Sequence, residues 1–181
     1  MGWSLDYLPP KEPELLDEFF LAAGKALYLA CAFESKCQHV LWTFKVADHF
    51  EKTGDASASL SLFKVMKEKL LGQTINALKR YPDFKPNDIT ILEKARNARN
   101  FIAHECADIG PLSAASSSAI QDRLDRLRHE LKILAAGDNL VSCWVYELAE
   151  KEPAPRLIRQ AYPKWVEKWV FGKSSLPESS E

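Results

Sequence analysis

The chain of 181 residues is 46% hydrophobic and 27% charged, which suits one folded domain and excludes disorder through most of its length. Its 24 Lys and Arg residues nearly balance its 25 Asp and Glu residues, so any nucleic-acid contact must come from a local patch. The four cysteines form no C-x-x-C pair, no signal sequence opens the chain and no apolar run could span a membrane, features that predict a reduced, cytoplasmic protein.

Apolar residues recur at helical spacing over residues 13–52, and Pro13 stands where a first helical turn accepts proline. The pattern predicts either one very long helix or two helices broken near Ser35. A second helix is expected over residues 59–80, because Tyr81-Pro82 ends its apolar pattern. The inner side of this second helix would carry Leu62, Phe63, Met66, Leu70 and Leu78.

A third helix is predicted to run to about Ala107. Thr90-x-x-Glu93 has the form of a capping box at its start, although Asn87 or Asp88 could cap the helix equally well. Ser118-x-x-Gln121 resembles another capping box and opens a fourth helix, which Gly137 is expected to end. The apolar residues of the fourth helix are Ile120, Leu124, Leu127, Leu131 and Leu134.

The last part of the chain is less regular. Residues 139–150 suit a helix or a strand, and their apolar stripe favours a helix. Pro163 is expected to open a short helix in which Trp165 and Trp169 share a face and pack in the core or in a dimer interface. The sequence thus predicts an all-α protein, an antiparallel bundle of four to six helices over residues 13–150, with a C-terminal helical extension over residues 151–172 and a disordered tail over residues 173–181.

The third helix carries the locally basic patch of the chain. Three cations and no carboxylate lie between Glu93 and Glu105. At about 100° per residue, Ile91, Ala95, Ala98, Ile102 and Cys106 form the core-facing stripe, whereas Asn97, Asn100 and His104 point nearly the opposite way. Arg96 and Arg99 flank the stripe, so an anion could bind beside Asn100 and His104.

These residue types match the needs of RNA cleavage without a metal. A histidine that titrates near neutral pH can transfer a proton, and a guanidinium can stabilise the charge of phosphate oxygens through planar hydrogen bonds. Attack of a 2′-hydroxyl on the adjacent phosphorus requires both functions. The pattern therefore indicates a candidate site at Asn100 and His104, with arginines in reach.

The segment Arg99-Asn100-Phe101-Ile102-Ala103-His104 resembles the signature of the HEPN superfamily: an arginine, a polar residue that is often asparagine, three further positions and a histidine. The resemblance implies a helical bundle with the motif on a late helix, and a metal-independent endoribonuclease of the kind found in toxin–antitoxin, antiphage and CRISPR systems. It implies that Arg99 stabilises the phosphate, His104 acts as general acid or base and Asn100 orients both groups. The expected product is a 2′,3′-cyclic phosphate.

The same resemblance implies partners. Family members commonly form homodimers in which two motifs line one cleft, and RNA, a cognate antitoxin or a nucleotidyltransferase would be further partners. One subset of toxins has a tyrosine two residues after the histidine, which a nucleotidyltransferase can modify, and this chain departs from that subset because Cys106 stands there. Arg123 and His129 fit a looser form of the motif, but Leu124 belongs to the core stripe, so we interpret this copy as a chance match.

Other interpretations remain open. The chain could be a non-catalytic HEPN-like module that binds a protein partner or a nucleotide, with His104 on a solvated face and hydrogen-bonded to a neighbour. Arg96 could contact RNA phosphate, or it could pair with Glu93 or Asn100 on its own helix. No metal or cofactor is expected, since Cys31, Cys37, His39 and His49 match no zinc-binding spacing.

Overall fold

The structure, a computed structural model, describes residues 8–55, 61–62, 64–65, 69–81 and 84–172. These residues contain helices, turns and loops but no strand, which confirms the predicted all-α fold. We number five helices in this part of the chain: α1 Pro13–Thr53, α2 Leu71–Leu78, α3 Pro86–Asn100, α4 Ser117–Glu150 and α5 Arg156–Phe171. A π-helical turn, Phe101–Glu105, directly follows α3. The predicted disordered tail, residues 173–181, lies outside the described residues.

Helices α1 and α4 run parallel to each other through the bundle. Near their starts the Ser117 hydroxyl donates a hydrogen bond of 2.7 Å to the Glu12 carboxylate. Farther along, the Lys36 ammonium lies 3.0 Å from the Asp138 carboxylate. None of the helices in the described ranges is both long enough and apolar enough to cross a membrane.

Helices α3 and α5 run antiparallel to α4. Ala95 of α3 lies against Gly137 of α4. Just after α3, the centre of the Phe101 ring lies 4.0 Å from the guanidinium carbon of Arg126, which is near the start of α4. On α5, Tyr162 contacts Asp138, and Phe171 lies beside Arg128. The four longer helices therefore alternate in direction along the chain, as in an up-and-down bundle.

The core is formed by the apolar stripes of all five helices. The five apolar residues predicted for the fourth helix are all buried, and α3 buries Ala95 and Ala98 as predicted. Leu92, not Ile91, is the buried residue near the start of α3. Each large side chain that is fully removed from water contributes about 1.5–3 kcal/mol to folding. This core fixes the positions of α1 and α3, which carry the candidate site.

Helix α1 is one continuous helix of 41 residues, so the open alternative of a break near Ser35 is excluded. Pro13 stands in its first turn, and its last turn ends at Gly54 with a left-handed φ of 68°. Glycine adopts that conformation without the steric penalty of a Cβ atom, so the chain can turn there.

The second predicted helix is not continuous. The described residues 61–62 and 64–65 are helical as predicted, but Lys69 and Leu70 are not, and a separate helix, α2, begins at Leu71. Leu78 is buried as expected, but Leu70 is 69% exposed and does not belong to the inner side. Phe63, Met66 and the predicted start near Ser59 lie outside the described residues.

The predicted helix starts are also corrected. Helix α3 begins at Pro86, so Thr90 is inside the helix and its hydroxyl donates to the Pro86 carbonyl at 3.0 Å instead of capping. Helix α4 is capped by Ser116, whose hydroxyl accepts from the Ala119 backbone at 3.3 Å; Ser118 already lies in the first turn. A serine two positions earlier can use the same geometry, which explains the error.

Helix α4 does not end at Gly137, as the sequence predicted, but continues to Glu150. Residues 139–150 are accordingly helical, as favoured. Gly137 is buried inside the helix, where an added Cβ atom would lie 2.3 Å from the Cβ of Ala95. The glycine is required for the close approach of α3 to α4, and not for a helix end.

Helix α5 begins at Arg156, so Pro163 is an interior residue and does not open the helix. Proline has no backbone N–H, which leaves the carbonyl of Arg159 without its usual helical partner. The Asn139 side chain donates to this carbonyl at 2.8 Å. Trp165 and Trp169 are 55% and 46% exposed, so the predicted packing in the core of this chain is wrong, and Val166 and Val170 are buried instead.

A buried carboxylate joins three helices. Asp138 on α4 is 1% exposed, and both of its oxygens lie 3.0 Å from the Lys36 ammonium of α1. The Tyr162 hydroxyl of α5 donates a hydrogen bond to the same carboxylate. Burial and this hydrogen bond raise the pKa of Tyr162 above its ordinary range. The carboxylate is therefore paired and hydrogen-bonded, as a buried charge requires.

Candidate functional site

The π-helical turn after α3 determines how the motif residues meet. In a regular α-helix, residues five apart point about 140° away from each other. Here the Cys106 backbone N–H donates to the Phe101 carbonyl, five residues earlier, at 2.8 Å. A turn with this bonding contains more residues than an α-helical turn, so it brings residues five apart closer to the same side. Arg99 and His104 therefore come together, with 3.4 Å between Arg99 Nη1 and His104 Nε2.

Arg99 is the centre of the polar contacts. Its Nη1 donates to the Asn100 side-chain oxygen at 3.3 Å and approaches His104, while its Nη2 donates to the Glu34 carboxylate at 2.5 Å. Its Nε is buried and has no hydrogen-bond partner within the described residues. The Nη1 contacts are longer than typical N–H···O bonds, so a ligand oxygen can replace them at small energetic loss.

Glu34 holds the guanidinium from the opposite helix. The Arg99 and Glu34 side chains are 19% and 20% exposed, and their ion pair joins α3 to α1. Because one edge of the guanidinium is bound to Glu34, only the Nη1 side remains for a ligand. The pair thereby fixes the direction in which Arg99 can donate.

The three motif residues line one open cleft. Its volume is about 480 Å³, within the range of small-ligand sites. Its lining residues come from α1, α3, the π-helical turn and the first two turns of α2. The positive end of the α2 dipole thus lies at the cleft, which favours an anion there.

His104 is exposed, as predicted, and not buried against its own bundle. The Nη1 of Arg99 lies 3.4 Å from Nε2 of His104, and it can donate to this nitrogen in the neutral tautomer that has its proton on Nδ1. In this state the nitrogen can accept a proton from a bound hydroxyl, as a general base does.

Arg96, the predicted RNA-binding residue, lines the same cleft as Arg99. Its guanidinium donates to the side-chain oxygen of neighbouring Asn97 at 3.2 and 3.4 Å. Neither Glu93 nor Asn100 is hydrogen-bonded to Arg96 among the described residues: Glu93 pairs with Lys79 at 2.5 Å, and the Asn100 side-chain oxygen accepts from Arg99. Arg96 and Arg99 thus place two guanidinium groups in the same cleft.

Cys106 is a structural residue of the π-helical turn. It is buried, and desolvation raises the pKa of its thiol to about 11, although Arg123 and Arg126 oppose this shift. A thiol in this state is not a nucleophile near neutral pH. Because Cys106 is buried, its position also offers no exposed side chain that a nucleotidyltransferase could modify.

The second Arg–His pair is used differently. Arg123 donates to the Glu105 carbonyl at 3.4 Å and to the Asp108 carbonyl at 2.6 Å, so it closes the end of the π-helical turn. His129 lies on a regular α-helix six residues later and is exposed on another face. The two residues do not form a site together.

Within the described residues, no group of three or more His, Cys, Asp and Glu side chains could hold a metal ion. All four cysteines are free thiols, and only Cys31 is exposed. Comparison of the chain with protein-family models, with curated proteins and with solved structures finds no match. What the cleft does must therefore be inferred from its own residues.

Three polar residues of the cleft were missed in the sequence: Glu34, Gln73 and Asn76. Glu34 had a detectable signal, because it is the only acidic residue between Glu18 and Asp48 of α1 and stands beside the core residue Phe33, where a charge is favoured only if it is paired. Gln73 and Asn76 had none, because their role depends on where the short α2 packs.

Proposed function

We propose that the protein is a metal-independent endoribonuclease of the HEPN type. The observation that carries this proposal is the contact between Arg99 Nη1 and His104 Nε2 at 3.4 Å, inside an open cleft that a second arginine also lines. A phosphodiester oxygen bound at Nη1 lies next to the imidazole that must accept the proton of the 2′-hydroxyl.

The proposed reaction uses two histidines, one as general base and one as general acid. His104 removes the proton of the 2′-hydroxyl, the 2′-oxygen bonds to phosphorus, and the bond from phosphorus to the 5′-oxygen breaks. A protonated histidine gives its proton to that leaving oxygen, and the products are a 2′,3′-cyclic phosphate and a 5′-hydroxyl. Arg99 stabilises the charge on the phosphorane oxygens, and Asn100 keeps the guanidinium oriented.

One cleft contains one imidazole, so the second histidine must come from another molecule. We place it on a second copy of the chain, as a homodimer with two clefts facing each other. Light scattering at micromolar concentration, with and without RNA, measures this directly. A strict monomer under both conditions contradicts the two-histidine arrangement.

The decisive experiment incubates the wild type and single variants with total RNA in EDTA and determines the 3′ ends of the products. His104→Ala and Arg99→Ala are each expected to lower the rate by roughly 10²–10⁴-fold. His129→Ala and Arg156→Ala are matched controls on exposed positions and should cleave like the wild type. Activity that vanishes in EDTA and returns with Mg²⁺, or a His104→Ala variant that cleaves normally, refutes the mechanism.

A non-catalytic module is the second candidate, and one observation favours it. Helix α5 exposes a group of large apolar side chains, with Leu157 81% and Ile158 50% exposed, together with the two tryptophans. Exposed apolar patches are typical of protein-binding surfaces. A wild type that cleaves no RNA under any condition, and binds a protein through α5, would make this the better description.

A further inference from the structure

The α2 side of the cleft carries two carboxamides. Gln73 and Asn76 lie one turn apart on α2, are exposed and line the cleft. Neither side-chain amide makes a hydrogen bond with the part of the chain that the structure describes. Each therefore presents a free carbonyl acceptor and a free NH₂ donor to whatever enters the cleft.

The two sides of the cleft differ in charge and polarity. Arg96, Arg99 and His104 form a cationic and proton-transferring wall on α3 and its π-helical turn. The α2 wall is uncharged, and Leu70 at its edge is 69% exposed, so it offers an apolar surface beside the two amides.

A nucleotide has the same division of parts. Its phosphate is anionic, the face of its base is apolar, and the edge of its base carries hydrogen-bond donors and acceptors. Asn and Gln carboxamides form paired hydrogen bonds with the N6 and N7 edge of adenine, because that edge offers one donor and one acceptor. Guanine instead offers two acceptors on this edge, which suit arginine.

We infer that Gln73 and Asn76 bind the edge of an adenine whose phosphate lies on Arg96 and Arg99. Leu70 covers the face of the base. This inference rests on the proposed ribonuclease function and extends it: RNA is cleaved at phosphodiesters flanked by adenine. Gln73 and Asn76 are then specificity-determining residues, and they take no part in proton transfer.

Nucleotide binding tests the inference apart from cleavage. The probes are the 3′-monophosphates of adenosine, guanosine, cytidine and uridine, and inorganic phosphate alone, each titrated into the full wild-type chain. The adenosine nucleotide is expected to bind about 5–100-fold more tightly than the other three. Equal affinities for the four nucleotides, or no binding of any of them, overturn the inference.

Variants identify the residues. Gln73→Ala and Asn76→Ala should each remove most of the preference for the adenosine nucleotide and leave the affinity for inorganic phosphate unchanged. Gln160→Ala removes an exposed carboxamide on α5 and is the matched control, with an unchanged preference expected. An α2 variant that loses nucleotide and phosphate affinity equally has perturbed the cleft as a whole, and this result also counts against base recognition.

The cleavage assay separates the two proposals. Wild-type cleavage of RNA without preference for adenine at the flanking nucleotides overturns the inference and leaves the ribonuclease function intact. Adenine-selective binding that depends on Gln73 and Asn76, in a wild type that cleaves no RNA, overturns the ribonuclease function and supports the nucleotide site.

Discussion

Replacing Arg99 by alanine removes a proposed phosphate ligand and also the partner of Glu34, so we expect the substitution to destabilise the fold as well as inactivate the site. Both side chains are about four-fifths buried, with 19% and 20% of their surface exposed. Breaking a fully buried ion pair from one side costs about 3–5 kcal/mol. Because each side chain still reaches solvent, we expect Arg99→Ala and Glu34→Ala each to lower the free energy of unfolding by about 2–3 kcal/mol.

The energy of the pair itself is smaller than either single effect. At an effective dielectric constant of about 20, unit charges about 4 Å apart attract by about 4 kcal/mol. Desolvation of both groups offsets a large part of this attraction, so we expect a coupling energy of about 1–2 kcal/mol. The double variant should therefore be less destabilised than the sum of the two single variants.

Urea unfolding of the wild type, both single variants and the double variant, followed by circular dichroism, measures this coupling. The exposed pair of Lys52 and Asp48, with 70% and 46% of the side chains exposed, is the control, and its coupling should be too small to measure. Single effects of Arg99 and Glu34 that add within about 0.5 kcal/mol would refute the structural role of their ion pair.

Two further predictions concern the core. Gly137→Ala adds a methyl 2.3 Å from the Cβ of Ala95 and should lower the free energy of unfolding by about 1–2 kcal/mol, since overpacking outweighs the better helix propensity of alanine. Gly24→Ala, with no atom within 4 Å of the new Cβ, should raise it by about 0.5–1 kcal/mol; equal urea midpoints for the two variants would contradict the close packing of α3 on α4. Burial, with the nearby Asp138 and Glu34 charges, raises the pKa of the Cys37 thiol far above its ordinary 9.0, so above pH 9 the unfolded thiol loses its proton while the folded one keeps it. The free energy of unfolding should then fall with rising pH, by up to about 1.4 kcal/mol per pH unit, and less steeply in Cys37→Ala; identical slopes in urea unfolding between pH 8 and 10 would refute this.

The sequence was most informative where one physical requirement acts along a whole helix. The regular spacing of Leu124, Leu127 and Leu131 predicted a buried stripe on α4 because a helix has one geometry for every such pattern. The polar side of the third helix was predicted for the same reason, and His104 is exposed there.

Local signals were less reliable because one residue type can meet several needs. Gly137 suggested a helix end, but it makes room for Ala95 on another helix. Pro163 suggested a helix start, but Asn139 satisfies the carbonyl that the proline leaves free. In both cases the deciding contact comes from a residue distant in the chain, and neighbouring letters carry no information about it.

The candidate site was also predicted only in part. The sequence identified the arginine and the histidine that meet, but an ordinary helix predicted them about 140° apart. The π-helical turn that joins them is stabilised by Arg123 of α4, which binds the carbonyls of Glu105 and Asp108. That arginine had been interpreted only as part of a chance motif.

The buried Asp138 has a consequence for the order in which the chain folds during synthesis. Lys36 leaves the ribosome early, whereas Tyr162 is made 24 residues after Asp138. Until α5 has been made, the side of the carboxylate that Tyr162 covers is open to water, so α4 packed on α1 lacks this hydrogen bond and the burial that α5 supplies. We expect the bundle to remain open on one side during translation and to close only when α5 emerges, so that its last helix completes the core.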